Sequence, residues 1–249
     1  MIILETQGLT HVFSNGTIAI NDINLAIEEG DFAIIAGDNG SGKTVLVRHF
    51  NGLFLPTRGK VLLEGEPITK NLVNARKKIG LIFQNSDTQI VAQTVAEDVA
   101  FGPENLNLSR EEVDERVKQA LEAVELDVLA KQQPHTLSGG QKKRLAVAGV
   151  LAMKPKIIVF DEPFTGLDYP GVVQVLRQII SLHRKGHSII LVTHELEKVL
   201  AHANRLIIMK KGRIVKDSNP SRLIDELELH GIKRPYGEDR KVETMTWLN

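Results

Sequence analysis

An α/β fold with a mostly parallel sheet is the architecture that this 249-residue sequence predicts. Five short runs rich in Ile and Val alternate with helical patterns, at residues 32–36, 79–83, 156–160, 188–193 and 205–209. Such runs are typical of strands that are covered on both faces, as in a parallel sheet between helices. A glycine-rich segment follows the first run, and an acidic pair follows the third. Both segments therefore fall at strand ends, where open α/β sheets bind ligands.

A smaller, partly antiparallel β-lobe is expected at the N-terminus. Residues 2–6 and 23–27 alternate between apolar and polar side chains, and residues 59–63 follow a Pro-Thr-Arg-Gly turn. Strict alternation indicates strands with one buried face. This lobe would precede and flank the parallel sheet.

A helical lobe over about residues 90–150 is expected to project from the α/β body. Within it, residues 109–126 carry apolar side chains at helical spacing, and Ser109 with Glu112 predicts a capping box. A further helical pattern covers residues 141–153. After it come the later strands and then residues 218–249, which we expect to form a short C-terminal extension with a helix over 221–230. That extension is expected to serve packing or a partner.

Composition excludes several functions. Lys+Arg number 31 and Asp+Glu number 31, so the net charge of +0 gives no general attraction to nucleic acid. The basic cluster at 142–144 is interpreted as solvated helix surface. Because the chain has no cysteine, thiol catalysis and Cys-ligated metals are excluded. The longest uncharged apolar stretch, 145–153, is about half a membrane span, and residues 1–6 lack the features of a signal peptide. A soluble, cytoplasmic chain is expected.

The glycine-rich segment at residues 37–44 reads Gly-Asp-Asn-Gly-Ser-Gly-Lys-Thr and leads into a helix through about residue 53. Its spacing is that of a phosphate-binding loop (P-loop) between a strand and a helix. Lys43 is expected to reach the β- and γ-phosphates, and the Thr44 hydroxyl to take a Mg²⁺ site. The remaining loop residues expected to line the nucleotide are Asn39, Gly40, Ser41 and Gly42. The alternative is an incidental glycine-rich turn, which the filled positions and correct flanking elements disfavour.

The acidic pair Asp161-Glu162 ends the third run. One carboxylate there can hold Mg²⁺ through water, and its neighbour can act as a base that polarises an attacking water. An acidic pair at a strand end is often only solvated. Its combination with an upstream P-loop favours the functional interpretation.

A second anion-binding segment is indicated by Leu-Ser-Gly-Gly-Gln at residues 137–141. Ser138 can cap the helix that follows, while Gly139 and Gly140 leave its first N–H groups open. Gln141 is the first residue of the helical pattern. Taken alone, the pentapeptide could equally be an ordinary turn.

Residues 37–44, Gln84, 137–141, 157–162 and His194 together resemble the nucleotide-binding subunit of ABC transporters, over about residues 2–217. The resemblance implies the ABC ATPase fold, with an ATPase domain at 1–217, and ATP and Mg²⁺ as ligands. It also implies a head-to-tail dimer, in which residues 137–141 (the family's signature) of one chain close over the γ-phosphate held by the other. The partner is a second copy or a sister ATPase; the sequence leaves both open.

The same resemblance implies a role for each matching residue. Phe13 would stack on adenine, unless it is simply a core side chain. Gln84 would contact Mg²⁺ and the attacking water, and Glu162 would be the catalytic base. Asp168 would belong to the family's D-loop, and His194 would bond the γ-phosphate. All hydrolytic residues are present, so an active ATPase is expected.

A closer resemblance, over residues 51–57, 83–89 and 94–106, is to the energy-coupling-factor branch of ABC importers, although Ser86 replaces a proline common there. That branch takes up vitamins and transition-metal ions. It implies two membrane partners, a scaffold protein and a substrate-binding protein, and a location at the cytoplasmic face of the membrane. Asp87, Gln89 and their neighbours through Val99 are candidates for docking the scaffold, or else for lobe packing. A soluble, non-transport ABC ATPase, such as the iron–sulfur assembly type, is the alternative.

Overall fold

The computed structural model describes residues 1–235 and 241–248. In them the strands are β1 (Ile2–Val12), β2 (Ile18–Glu28), β3 (Phe32–Ala36), β4 (Arg58–Leu63), β5 (Glu66–Pro67), β6 (Ile79–Ile82), β7 (Ile157–Asp161), β8 (Ser188–Val192), β9 (Arg205–Lys210) and β10 (Arg213–Ser218). The α-helices are α1 (Lys43–Phe50), α2 (Leu72–Lys78), α3 (Val95–Asn105), α4 (Arg110–Ala123), α5 (Gly139–Leu151), α6 (Tyr169–Arg184) and α7 (Pro220–Leu223). Short 3-10 turns occupy several of the connections.

The larger sheet has the strand order β10-β9-β3-β8-β7-β6. All its pairs are parallel except β9 with β10. Strands β3, β6, β7, β8 and β9 are the five predicted runs, and each bound agrees with the prediction within one residue. Every residue of β3, β7 and β8 is buried, as the apolar runs indicate. The predicted α/β fold with a mostly parallel sheet is confirmed.

The N-terminal lobe is a four-stranded antiparallel sheet in the order β2-β1-β4-β5. Strands β1 and β2 extend well beyond the predicted runs 2–6 and 23–27. The reason is a bulge: the pairing register shifts between Thr6 and Leu9, around Gly8 with a φ of +58°. A bulge adds one residue to a strand and so interrupts the two-residue period that marks it in the sequence.

Helices α3, α4 and α5 form the predicted helical lobe and pack on one another. Ser109 caps α4 by accepting the N–H of Glu112. The carboxylate of Glu112, however, accepts from the guanidinium of Arg116 at 2.6 Å, so only half of the predicted capping box forms. Arg116 is buried and also donates to the carbonyl of Ala152. Because a buried guanidinium needs such partners, the Glu112 carboxylate pairs with Arg116 and does not complete the capping box.

The last part of the chain is attached to the body rather than separate from it. Leu223, Leu227, Ile232 and Met245 are buried within the same core as strands β3, β7 and β8. The predicted helix over 221–230 is the short helix α7 followed by 3-10 turns through residue 230. Residues 236–240 and 249 of the predicted extension lie outside the described residues.

Among residues 1–235 and 241–248, no helix combines the length and the apolar character needed to cross a bilayer.

Helix α6, which the sequence analysis did not predict, has a strongly apolar face formed by Val172, Val175, Leu176 and Ile179. These positions have helical spacing, so the signal was present. The Pro-Gly pair at 170–171 falls in the first turn of the helix and makes the start of the helix difficult to recognise in the sequence.

Candidate nucleotide-binding site

The P-loop connects the end of β3 to the start of α1. Two of its glycines are required by close backbone contacts. At Gly37, with a φ of +151°, a Cβ would lie 2.2 Å from the carbonyl oxygen of Met209. At Gly42, with a φ of +99°, a Cβ would lie 2.7 Å from the carbonyl oxygen of Ala19. The loop is therefore packed tightly against β9 and β2, and it leads into the N-terminus of α1, where main-chain N–H groups are free of helical partners.

Lys43 is the only charged side chain of the P-loop that is buried, with 6% of its surface exposed. Its ammonium donates to the carbonyls of Gly37 at 2.6 Å and Asp38 at 3.0 Å. Burial lowers the pKa of Lys43, while the nearby carboxylates of Glu162, Asp161 and Asp38 act in the opposite direction. The loop carbonyls thus hold this cation in place inside the loop.

Asp161 stands at the end of β7, with 4% of its surface exposed. Its carboxylate accepts a hydrogen bond from the Thr44 hydroxyl at 3.1 Å. Burial raises the pKa of Asp161, and the Thr44 hydrogen bond acts against that rise. Two oxygen groups from different elements, β7 and α1, are therefore held together beside the P-loop.

Glu162, the next residue, has a φ of +49°, which a side chain with a Cβ adopts only under strain. Its N–H donates to the carbonyl of Val192 at 2.9 Å, which fixes this turn to the end of β8. The Glu162 carboxylate meets the Nδ1 of His194 at 3.0 and 3.1 Å. The side chain of Glu162 is 10% exposed and that of His194 is 59% exposed, so the pair borders open space.

A cavity of about 430 Å³ brings most of these residues together. It is lined by Phe13, Asn39, Gly40, Gly42, Lys43, Thr44, Gln84, Glu162 and His194, among others. Phe13 is 39% exposed and stands edge-on to His11 at 4.9 Å between ring centroids, so it is not a core side chain. Ser41 is buried behind the loop, and its hydroxyl has no partner within the described part of the chain.

The residues of the signature and Asp168 lie elsewhere. The Ser138 hydroxyl caps α5 by accepting the N–H of Gln141, and the Gln141 amide oxygen accepts the N–H of Ser138. Asp168 caps α6 by accepting the N–H of Gly171 at 3.0 Å. Neither Asp168 nor residues 138–141 line the cavity at the P-loop. The two segments that the sequence analysis expects to bind anions therefore lie apart within one chain, with Ser138 and Gly139 exposed.

The sequence analysis missed Lys143, which it interpreted as solvated surface. Only 5% of Lys143 is exposed, and its ammonium donates to the carbonyls of Phe83 and Gln84. Burial lowers the pKa of Lys143. A sequence signal existed, because position 143 shares a helix face with the apolar Val147 and Val150. This contact connects the signature helix α5 directly to Gln84.

The strand order, the P-loop and the acidic pair define a nucleotide-binding cassette of the P-loop class. More specifically, the chain belongs to the ABC transporter family, whose model matches residues 20–165. It is therefore an ATP-binding chain and an ATPase, as the resemblance in the sequence implies.

Individual relatives agree with this membership. An energy-coupling factor transporter ATP-binding protein, EcfA of Methanococcus maripaludis, is 46% identical over 231 residues, covering 92% of this chain and 83% of the relative. The structure of cbiO1 from Clostridium perfringens, part of the ABC transporter complex cbiONQ, has a TM-score of 0.82 and 37% identity, and the match covers 92% of both chains. A dimeric ATP-binding cassette in a post-hydrolysis state with ADP and Pi has a TM-score of 0.78 and 29% identity, covering 87% of this chain and 98% of that one. The resemblance to the energy-coupling-factor branch is confirmed.

Proposed function

We propose that this chain is the ATP-hydrolysing motor subunit of an importer of the energy-coupling-factor type, acting in uptake of a vitamin or transition-metal ion. The observation that carries the proposal is the convergence of the P-loop, Glu162 and His194 on one cavity, together with the hydrogen bond that joins Asp161 to Thr44 of its lining. The relatives named EcfA support the transport branch over a soluble, non-transport ATPase. Residues 1–217 would form the ATPase domain, and residues 218–249 an extension packed on it.

The nucleotide would occupy the cavity beside the P-loop. Its phosphates would accept hydrogen bonds from the main-chain N–H groups of residues 39–44. They would also replace the loop carbonyls as partners of the Lys43 ammonium. Phe13 lines the same cavity and is 39% exposed, which suits stacking on adenine.

Mg²⁺ fits the oxygen groups beside the phosphates. The Thr44 hydroxyl and the Asp161 carboxylate are 3.1 Å apart, and the Gln84 amide borders the same cavity. Mg²⁺ prefers oxygen ligands and commonly takes one or two from protein and the rest from phosphate and water. Consistently, no group of three or more His, Asp or Glu in the described residues could hold a metal alone. When bound, the ion would neutralise charge on the β- and γ-phosphates.

Glu162 would act as the base that orients and polarises the attacking water. Its strained backbone turns the carboxylate towards the cavity, and its contact with His194 holds it there in the nucleotide-free chain. Most of the His194 side chain is exposed, so a γ-phosphate in the cavity could reach it and replace Glu162 as its partner. A shift of Gln84 on nucleotide binding would move α5 as well, because the Lys143 ammonium donates to the Gln84 carbonyl.

A membrane scaffold protein would dock in a groove of about 440 Å³ lined by Asp87, Ile90, Ala92, Gln93, Gln133, Pro134 and His135. Val91, next to this groove, is 64% exposed. Of the predicted docking stretch, Gln89 instead bonds the backbone of β6 and Phe83, and Val99 is buried. Those two residues support the alternative of lobe packing. A substrate-binding membrane protein would complete the complex. This chain would lie at the cytoplasmic face of the membrane, and it would have no nucleic-acid partner.

The Glu162→Gln variant tests the chemistry. It removes the proposed base but leaves the P-loop whole, so steady-state hydrolysis should fall at least about a hundredfold while ATP affinity survives. ATP should then trap a dimer, which size-exclusion chromatography with multi-angle light scattering detects. The comparison variant Lys43→Ala should weaken ATP binding itself. Near-normal turnover by Glu162→Gln would overturn the assignment of the base.

The docking groove has its own test. Val91→Arg places a charge beside the groove, whereas Val128→Arg places the same charge at a position of the helical lobe that is even more exposed, at 82%. The first variant should lose co-purification with detergent-solubilised membrane partners, and the second should keep it. Isolated ATPase activity should be unchanged in both. Equal recovery of membrane proteins with both variants would contradict the proposed groove.

A further inference from the structure

Trp247, the only tryptophan of the chain, is docked on one lysine near the end of the described residues. The ammonium of Lys198 lies 4.4 Å from the centre of the Trp247 ring, a cation–π contact. The main-chain N–H of Trp247 also donates to the carbonyl of Lys198 at 3.2 Å. Two contacts to one residue fix the position of the ring as well as that of the backbone.

Lys198 belongs to the segment that carries His194. It lies in the 3-10 turn Leu196–Lys198 directly after β8, and only 6% of it is exposed. Its ammonium pairs with the carboxylate of Glu195, the residue next to His194. A buried ammonium needs such a partner, so Lys198, Glu195 and Trp247 stabilise one another's positions.

Trp247 also contacts the segment that carries Asp168. The ring of Tyr169, the first residue of α6, is 5.4 Å from that of Trp247. Phe164, between Glu162 and Asp168 in the chain, faces the same Lys198 ammonium at 5.7 Å. Trp247 therefore contacts two segments that each carry a residue proposed to act on nucleotide.

Neighbouring residues of the tail anchor it independently. The N–H of Ala201 donates to the carbonyl of Met245 at 3.1 Å, and the Met245 side chain is buried. The Thr246 hydroxyl and the Nε2 of His202 are 2.8 Å apart. These contacts hold the residues directly before Trp247 against the segment that follows Lys198, so the ring is fixed in place and does not simply cover the surface.

We propose that Trp247 is a positioning residue for ATP hydrolysis: it holds the segment of His194 and the segment of Asp168 at a fixed separation. The inference rests on the proposed roles of His194 and Asp168 and adds a function for the tail. Substitution of the ring should slow the chemical step without weakening nucleotide binding, since none of the tail residues that the structure describes lines the nucleotide cavity.

The first test is a kinetic comparison of three full-length variants. Trp247→Leu keeps apolar volume but removes the π face, and kcat should fall about fivefold to tenfold with the KM for ATP unchanged. Trp247→Phe keeps a π face and should recover most of the activity. Leu248→Ala, a matched loss of packing at the next position, should keep wild-type kcat. Equal kcat in the Leu and Phe variants would overturn the proposal.

The second test uses Trp247 itself as the reporter and needs no change in the tail. In the Glu162→Gln chain, saturating ATP should shift the tryptophan emission, and Lys198→Met should abolish that shift while ATP still binds. An emission spectrum that ATP leaves unchanged would contradict coupling between tail and site. If the emission did not change but Glu162→Gln still abolished hydrolysis as predicted, the proposed function would stand and only this inference would be rejected.

Discussion

The P-loop half and the signature half of this chain are built in opposite ways. Around the P-loop, Lys43, Asp161 and Glu162 are all at least nine-tenths buried and are held by hydrogen bonds to neighbouring strands and loops. At the signature, Ser138 and Gly139 are exposed, and their contacts are those of a capped helix start. The first half encloses a cavity of its own, whereas the second presents an open surface.

This difference has a physical consequence. A buried, charged cavity can bind nucleotide within one chain, because its groups are already oriented and partly desolvated. An exposed helix N-terminus is too weakly desolvated to do so alone, and it gains strength only when a second surface excludes water from it. We therefore expect the two halves to complete one site only when two chains meet. The predictions below change the signature half, the link between the halves, the P-loop half and a position outside both.

The largest expected effect is that of Gly139→Asp. The new carboxylate would face the γ-phosphate of the partner's nucleotide, so hydrolysis should fall at least about a hundredfold. The fold should survive, because a Cβ at Gly139 meets only Leu167 at 3.8 Å and an acidic side chain suits the start of a helix. ATP affinity of the isolated chain, measured by calorimetry, should match wild type. Gly149→Asp adds the same charge in open space further along α5 and should remain active.

Lys143→Met should have an intermediate effect. It removes the ammonium that joins α5 to the carbonyls of Phe83 and Gln84 but keeps the apolar stem. We expect kcat to fall about tenfold, with ATP affinity within about twofold of wild type. Steady-state kinetics and equilibrium binding separate these quantities. If ATP affinity fell as much as kcat, Lys143 would belong to the P-loop half rather than to a link between the halves.

Asp161→Asn should stabilise the nucleotide-free chain while it impairs hydrolysis. Since burial raises the pKa of Asp161, its ionised form costs free energy at neutral pH, and this cost decreases as the pH falls through the folded-state pKa. Asparagine keeps an oxygen for Thr44 without the charge. We expect the free energy of unfolding to rise by about 1 kcal/mol at pH 7, and the gain to shrink as the pH is lowered. Thermal denaturation of both chains across pH values provides the check.

The smallest effect is predicted outside both halves, at Glu64. Hydrogen bonds from Lys156, at 2.6 Å, and from Lys78 lower the pKa of Glu64. Its contribution to stability is therefore present above the unfolded pKa of about 4.5 and is lost as the pH falls through the lower folded value. Glu64→Gln should cost less than about 1 kcal/mol at pH 7. Denaturant unfolding should show the two chains converging in acid, with ATPase activity unaltered at neutral pH.

The sequence predicts some features of this molecule better than others, for physical reasons. Strands β3, β7 and β8 are predictable because both of their faces are buried, which requires an uninterrupted apolar run. The P-loop is predictable because Gly37 and Gly42 tolerate no other residue. Lys143, by contrast, looks like surface, because its burial depends on two carbonyls that lie about sixty residues away along the chain.

The partner of Trp247 is hidden for a similar reason. Its contact with Lys198 joins segments that are distant in the chain, and neither residue has local periodicity that marks it. Local sequence rules locate the two binding segments but do not say that they act between chains. That expectation comes from the resemblance to the ABC family, and the separation of the two segments in the fold agrees with it.

The most direct test of that claim is to mix two inactive chains. Lys43→Ala disables the P-loop half, and Gly139→Asp disables the signature half. If the halves act between chains, a mixed dimer contains one intact site, and a random equimolar mixture should recover about a quarter of wild-type ATPase activity. If each chain completed its own site, the mixture would stay as inactive as its components, and that result would contradict the account.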